Sequence, residues 1–234
     1  MNSYRKTAII VGVLFIIATA ASFSSSVFLG ALDASNYLTS ISASENQVLI
    51  GMVLELIAAV SAFGTAVMLF PVLKKTMESL ALGYVALRLI ENIFYIVGAL
   101  SLPIILTLSQ GYVAGASNVS YYQPLGTLLL ALHGWSIWMG TLIFFGLGSV
   151  TLNYLLYQSK LVPRFLSVWG LIGAALILLY GLVNLFSLDP LNMLSSILTI
   201  LALPIAVQEM VFAVWLIVKG FNPAAIASES PHVE

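Results

Sequence analysis

The sequence predicts an all-α polytopic membrane protein, a bundle of six transmembrane helices with both termini cytoplasmic. Three observations carry that expectation. Of 234 residues, 61% are hydrophobic and only 7% charged, whereas a soluble globule uses roughly 25% charged residues. The mean hydropathy is +1.08, and six apolar stretches each exceed the roughly 20 residues that cross a hydrocarbon core about 30 Å thick. Of the eight bases, seven fall on one side of the membrane once those stretches are threaded.

The stretches lie near residues 7–30, 48–73, 80–107, 126–157, 164–187 and 193–218. They are too long and too continuously apolar for the roughly 10-residue alternating strands of a membrane barrel, so helices are expected. The first begins after Arg5 and Lys6, and Ala18-Thr19-Ala20 within it gives it some signal-peptide character. Its apolar run is longer than a signal peptide's, so a retained helix is expected. Lys74 and Lys75 join the second and third stretches, Lys160 and Arg164 join the fourth and fifth, and Lys219 follows the sixth. The opposite side carries Asp33, Glu45 and Asp189 and no base, which by the positive-inside rule makes it external. One transmembrane domain is expected over residues 1–221, with a short disordered tail over 222–234.

Five ionisable side chains fall inside these stretches: Glu55, Arg88, Glu91, His133 and Glu209. Each charge at the bilayer centre costs about 2.5–3.5 kcal/mol on insertion scales, so such residues need partners or water. Glu55 shares a helical stripe with Ala58, Ala62 and Ala66, and Glu209 with Ala202, Ala206 and Ala213. Small residues mark faces where membrane helices approach closely. Arg88, Glu91 and Tyr95 form one polar stripe with Asn92 at its edge.

Depth suggests the pairing. Arg88 lies ten residues from Glu78 and Glu209 ten from Lys219, so both sit about 15 Å deep at 1.5 Å per residue. An Arg88–Glu209 ion pair is therefore expected. Glu55, nineteen residues above Lys74, lies near the outer boundary, and His133 is placed at a similar depth. Three carboxyls face one permanent cation, so a proton or another cation is needed for balance.

Several chemistries are disfavoured. There is no cysteine. His133 is the one histidine in a stretch, which excludes a haem held by two intramembrane histidines of one chain. Glu-x-x-His pairs of the dimetal bundles are missing, so no metal is expected, and no cofactor either. No nucleophile elbow or phosphate-binding glycine loop is present. A net charge of −1 gives no reason to expect a nucleic-acid partner. The expected partners are the lipid bilayer and a small-molecule or ion ligand.

The strings "IVGVLFIIAT", "SENQVLIG", "LFPVLKK", "LALGYVALRLIE", "YLLYQSKLVPRFLSVWGLIG" and "LPIAVQEMVFAVWLIVKGFNP" run in order through nearly the whole chain. As a set the chain resembles the prokaryotic integral membrane family grouped as domain of unknown function 4386. The resemblance implies that Glu55, Arg88, Glu91 and Glu209 match the family pattern; similar proteins do not all carry histidine at 133. No activity comes with it. Three readings of the interior residues follow: a site for a proton, cation or small amphiphile around Arg88, Glu91 and Glu209; a membrane-embedded enzyme acting on lipids through Glu55 and His133; or a structural or partner subunit whose ion pairs only fix packing.

Overall fold

The computed structural model describes residues 3–115, 119–186 and 196–228, and every regular element among them is helical. Asp189 lies outside the described residues. Helix α1 spans Ser3–Phe28 and is followed by a 3-10 turn, Gly30–Asp33. A short helix α2, Tyr37–Ala43, precedes the 69-residue run α3, Glu45–Val113. Then come a 3-10 turn at Val119–Tyr121, α4 over Tyr122–Trp138, a π-helical segment at Met139–Phe144 and α5 over Phe145–Ser159. The chain ends with α6, Arg164–Leu185; α7, Ser196–Val218; and α8, Pro223–Ser228. Among the described residues, five helical runs are long and apolar enough to cross a membrane, with α4, the π segment and α5 counting as one.

The run α3 is a folded-back hairpin. Met77 has extended backbone angles, φ −152° and ψ 94°, in the middle of it. A straight helix of that length would be about 100 Å long, yet Gln110 Nε2 near its end donates to Glu45 Oε2 at its start over 3.0 Å. Leu69 and Leu73 before the break share one apolar core with Ala81 and Tyr84 after it. The basic connection expected around residues 74–79 is thus a single non-helical residue: helix continues through Pro71, Lys74 and Lys75 and resumes directly after Met77.

Helix α1 packs on α3 and α7, α4 on α3, and α5 and α7 on α6. The approach of α1 to α7 is close because Gly12 has no side chain; a Cβ there would lie 2.6 Å from the Ala213 carbonyl oxygen. Phe15 meets Phe212 edge-on nearby, with ring centroids 5.5 Å apart. At the end of α7, the Arg5 guanidinium donates to the carbonyls of Leu216, Ile217 and Val218 over 3.0, 2.6 and 3.2 Å. These are carbonyls that a terminating helix leaves without intrahelical donors, and a cation suits the negative end of the helix dipole.

Lys74, Lys75 and Lys160 gather at the same end. Lys75 donates to the Tyr4 hydroxyl, Lys74 lies over the Phe70 ring, and Asn222 ties the α5–α6 connection to the segment after α7 through its N–H to the Leu161 carbonyl, 2.8 Å. The opposite end is closed by α2, which buries Leu38 and Ile41 and whose Tyr37 hydroxyl donates to the Gln123 carbonyl over 2.9 Å. After α7 the chain continues into α8, with Phe221 and Ala225 buried; the rest of the tail, residues 229–234, lies outside the described residues.

Candidate functional site

The second limb of α3 carries the charged centre of the bundle. Arg88 and Glu91 are three residues apart on one face, and Arg88 Nη1 donates to both Glu91 carboxylate oxygens, at 3.0 and 3.1 Å. Glu209 of α7 lies on the other side, its Oε1 3.7 Å from Arg88 Nη2. That is ion-pair distance, too long for a hydrogen bond. The side chains of Arg88, Glu91 and Glu209 are 3%, 1% and 14% exposed. The guanidinium lies over the rings of Tyr84 and Phe145, 5.6 and 5.2 Å from their centroids, while its Nε donates to the Tyr84 hydroxyl at 3.3 Å.

Bringing ions out of water costs several kcal/mol each, and the cost is offset where a guanidinium and carboxylate meet through paired charge-assisted bonds. Arg88 and Glu91 meet that condition. Glu209 gains a Coulombic contact and no direct hydrogen bond from Arg88, so it is the less satisfied acid. With all three groups ionised the centre carries a net −1.

A polar file continues from this centre along α3. Asn92 Nδ2 donates to the Arg88 carbonyl at 2.7 Å, and one turn beyond Glu91 the Tyr95 hydroxyl meets Thr141 Oγ1 at 3.0 Å. Thr141 belongs to the π-helical segment, where the wider turn shifts the helix face relative to a regular α-helix. Gly140 beside it lets the segment settle onto α3; a Cβ there would be 3.0 Å from the Tyr95 ring and 3.4 Å from the Glu91 carbonyl oxygen.

Further toward the α2 end, Glu55 of the first α3 limb and His133 of α4 form a direct pair, Oε1 to Nε2 at 3.0 Å. Their side chains are 12% and 15% exposed. The second carboxylate oxygen of Glu55, Oε2, is buried with no hydrogen-bond partner among the described residues. Counted from Met77 at 1.5 Å per residue, Arg88 lies about 16 Å along its limb, Tyr95 about 27 Å and Glu55 about 33 Å along the other. The ionisable residues therefore form two groups at different depths, with Tyr95 and Thr141 between them.

Sequence reasoning overlooked a third polar group, between α5, α6 and α7. Asn153 Nδ2 donates to the Ser149 carbonyl at 2.8 Å, and Asn153 Oδ1 accepts from Gln208 Nε2 at 3.3 Å. Gln208 Nε2 also donates to the Leu166 carbonyl at 3.2 Å. Gln208 precedes Glu209, so this amide network fixes the turn of α7 that presents Glu209 to Arg88. The signal was an Asn and a Gln within apolar stretches, where an unsatisfied amide is costly; a search restricted to ionisable residues passes over them.

Among the described residues, no three His, Asp or Glu side chains come together as a metal-holding group. No curated protein and no solved structure matches the chain. Residues 10–220 match a domain of unknown function, DUF4386. That match takes in Glu55, Arg88, Glu91, His133 and Glu209 together with most of each membrane-length helix, and the chain belongs to this family.

Proposed function

We propose that this chain is a six-crossing protein of the cytoplasmic membrane, with both termini cytoplasmic, that takes up a cation at its buried Arg88–Glu91–Glu209 centre, and that this cation is a proton. The α3 hairpin supports the count of six, because each limb is long enough to cross and the two ends meet through Glu45 and Gln110. The gathering of bases around Arg5, Lys75 and Lys160 supports the orientation.

One observation carries the functional reading: two carboxylates from separate helices face a single guanidinium inside the bundle. The excess negative charge calls for a monovalent cation. A proton fits better than a metal ion, since the donor groups are too few for a coordination shell. The Tyr95–Thr141 contact and the Glu55–His133 pair supply exchangeable protons at intervals toward the opposite end.

The test is proton entry into proteoliposomes loaded with a pH-sensitive dye under an imposed membrane potential. The native protein is expected to acidify the lumen and Glu209→Gln to abolish that, while folding is retained. Equal rates for native protein, Glu209→Gln and empty liposomes would defeat the proposal. Uptake of a small amphiphile that Glu209→Gln abolishes, without proton movement, would reassign the ligand.

A further inference from the structure

A cavity of about 520 Å³ opens at the basic end of the bundle, between the α5–α6 connection and the segment that follows α7. Lys219 on its wall lies ten residues, about 15 Å of helical rise, beyond Glu209. Lys160, Arg164 and Lys219 all line it, and none of its lining residues is acidic. Its volume is that of a small-ligand site.

The walls are built structure. Asn222 holds the two connections together, its N–H on the Leu161 carbonyl at 2.8 Å and its Nδ2 on the Lys160 carbonyl at 3.3 Å. The floor is apolar, from buried Leu161, Val162 and Phe221. Arg164 is steadied over the Tyr157 ring, 5.1 Å from its centroid. Lys160 ends α5 in the left-handed conformation, φ 54° and ψ 23°, a position that glycine normally takes. A lysine there is held against its backbone preference.

Three cations around one cavity repel one another until an anion enters. Trp215 on the wall is an amphipathic ring of the kind that sits at a membrane boundary. Phe165 on α6 and Val214 and Val218 on α7, each next in sequence to a lining residue, are exposed apolar side chains, 59%, 52% and 62% accessible, that suit contact with hydrocarbon. The geometry points to a binding site for a phosphate-bearing anion, held by Lys160, Arg164 and Lys219, with the phosphodiester of an anionic phospholipid or a free phosphate group as its source. Basic pockets between membrane helices on the cytoplasmic side hold such head groups in this way.

Native mass spectrometry of the full chain tests this. The protein is released from mixed micelles of phosphatidylglycerol and phosphatidylcholine, with and without inorganic phosphate as competitor. The native chain is expected to retain phosphatidylglycerol selectively. Each base removed should weaken that binding about fivefold, and the combined Lys160→Ala, Arg164→Ala, Lys219→Ala change about a hundredfold. Lys160→Gly should lose its fivefold without lowering thermal stability, because glycine suits the backbone there, which separates a lost ligand from a lost fold. Lys74→Ala with Lys75→Ala, at the same end and outside the cavity, should bind as the native chain does. Displacement by inorganic phosphate, lost in the same variants, would identify a free phosphate group as the ligand and uphold the site. Phosphatidylglycerol binding that survives the triple change, or falls equally in the Lys74 and Lys75 control, would overturn it.

Discussion

Gly170 of α6 sits against the amide network that positions Glu209, and a single methyl group there should be felt across three helices. A Cβ at residue 170 would lie 2.1 Å from Asn153 Oδ1, 2.3 Å from its Cγ and 2.5 Å from its Nδ2. Real Cβ contacts essentially never fall under 3.0 Å, so the amide must retreat by about 0.9 Å, the difference between 3.0 and 2.1 Å. Asn153 is 3% exposed and Gln208 2%, which leaves little room, and retreat breaks the bonds to the Ser149 carbonyl and from Gln208. Overpacking a core costs about 1–3 kcal/mol, and each lost hydrogen bond about 0.5–1.5 kcal/mol. Against this, alanine is favoured over glycine in a helix interior by up to about 1 kcal/mol. Gly170→Ala should therefore destabilise by about 1–5 kcal/mol, summing the clash and two bonds and subtracting the helix preference. In an Asn153→Ala background the clash is gone, and the same substitution should be neutral or stabilising by up to about 1 kcal/mol. Reversible unfolding in mixed micelles, run as a double-mutant cycle, reads both values. A Gly170→Ala effect of the same sign and size in the two backgrounds would refute this account of the network.

Arg88→Met should cost about 3–5 kcal/mol, the usual penalty for stranding buried partners, and adding Glu91→Gln and Glu209→Gln should recover most of it in the same unfolding assay. Glu209→Gln alone should cost much less than Arg88→Met, since it relieves the excess negative charge and leaves Arg88 paired with Glu91; a loss as large as that of Arg88→Met would mean that Glu209 is a net structural partner. For topology, the cysteine-free chain allows single-cysteine labelling: Ser35→Cys and Ala114→Cys should react with an impermeant maleimide from outside, and Ser79→Cys only from the cytoplasmic face. Ser79 reacting on the same side as Ala114 would exclude a crossing by the second limb of α3.

How much of this is legible in the sequence varies with the kind of physics involved. Apolar length is a one-dimensional quantity, so the membrane-length helices could be read directly. Arg88 and Glu209 could be set at one level because helical rise is constant and each has a charged residue ten positions away as a marker of depth. Their partner Glu91 followed from helical spacing. The approach of His133 to Glu55 was less accessible, because α4 runs on through the π segment into α5 and its depth has no such marker. The turn between the two limbs of α3 was expected over 74–79 from its two lysines, and Met77 falls within it; that it shrinks to one residue was hidden because helix continues through Pro71 and both lysines. Helix α2 was hidden in a connection whose apolar residues are too few for a span, and Lys160, Arg164 and Lys219 read as orientation signals until the fold drew them around one cavity.

The contact of Arg5 and Gly12 with α7 has a consequence for how the molecule is made. The partners of α1's charged first turn are carbonyls from residues 216–218, more than two hundred positions later in the chain. While the ribosome is still extending the protein, α1 stands beside α3 with its glycine notch unfilled and its arginine unsatisfied by α7. The ring of helices closes only when the last one arrives. Truncation anywhere before Leu216 removes the partners of Arg5 and of the Gly12 notch together and leaves that seam open.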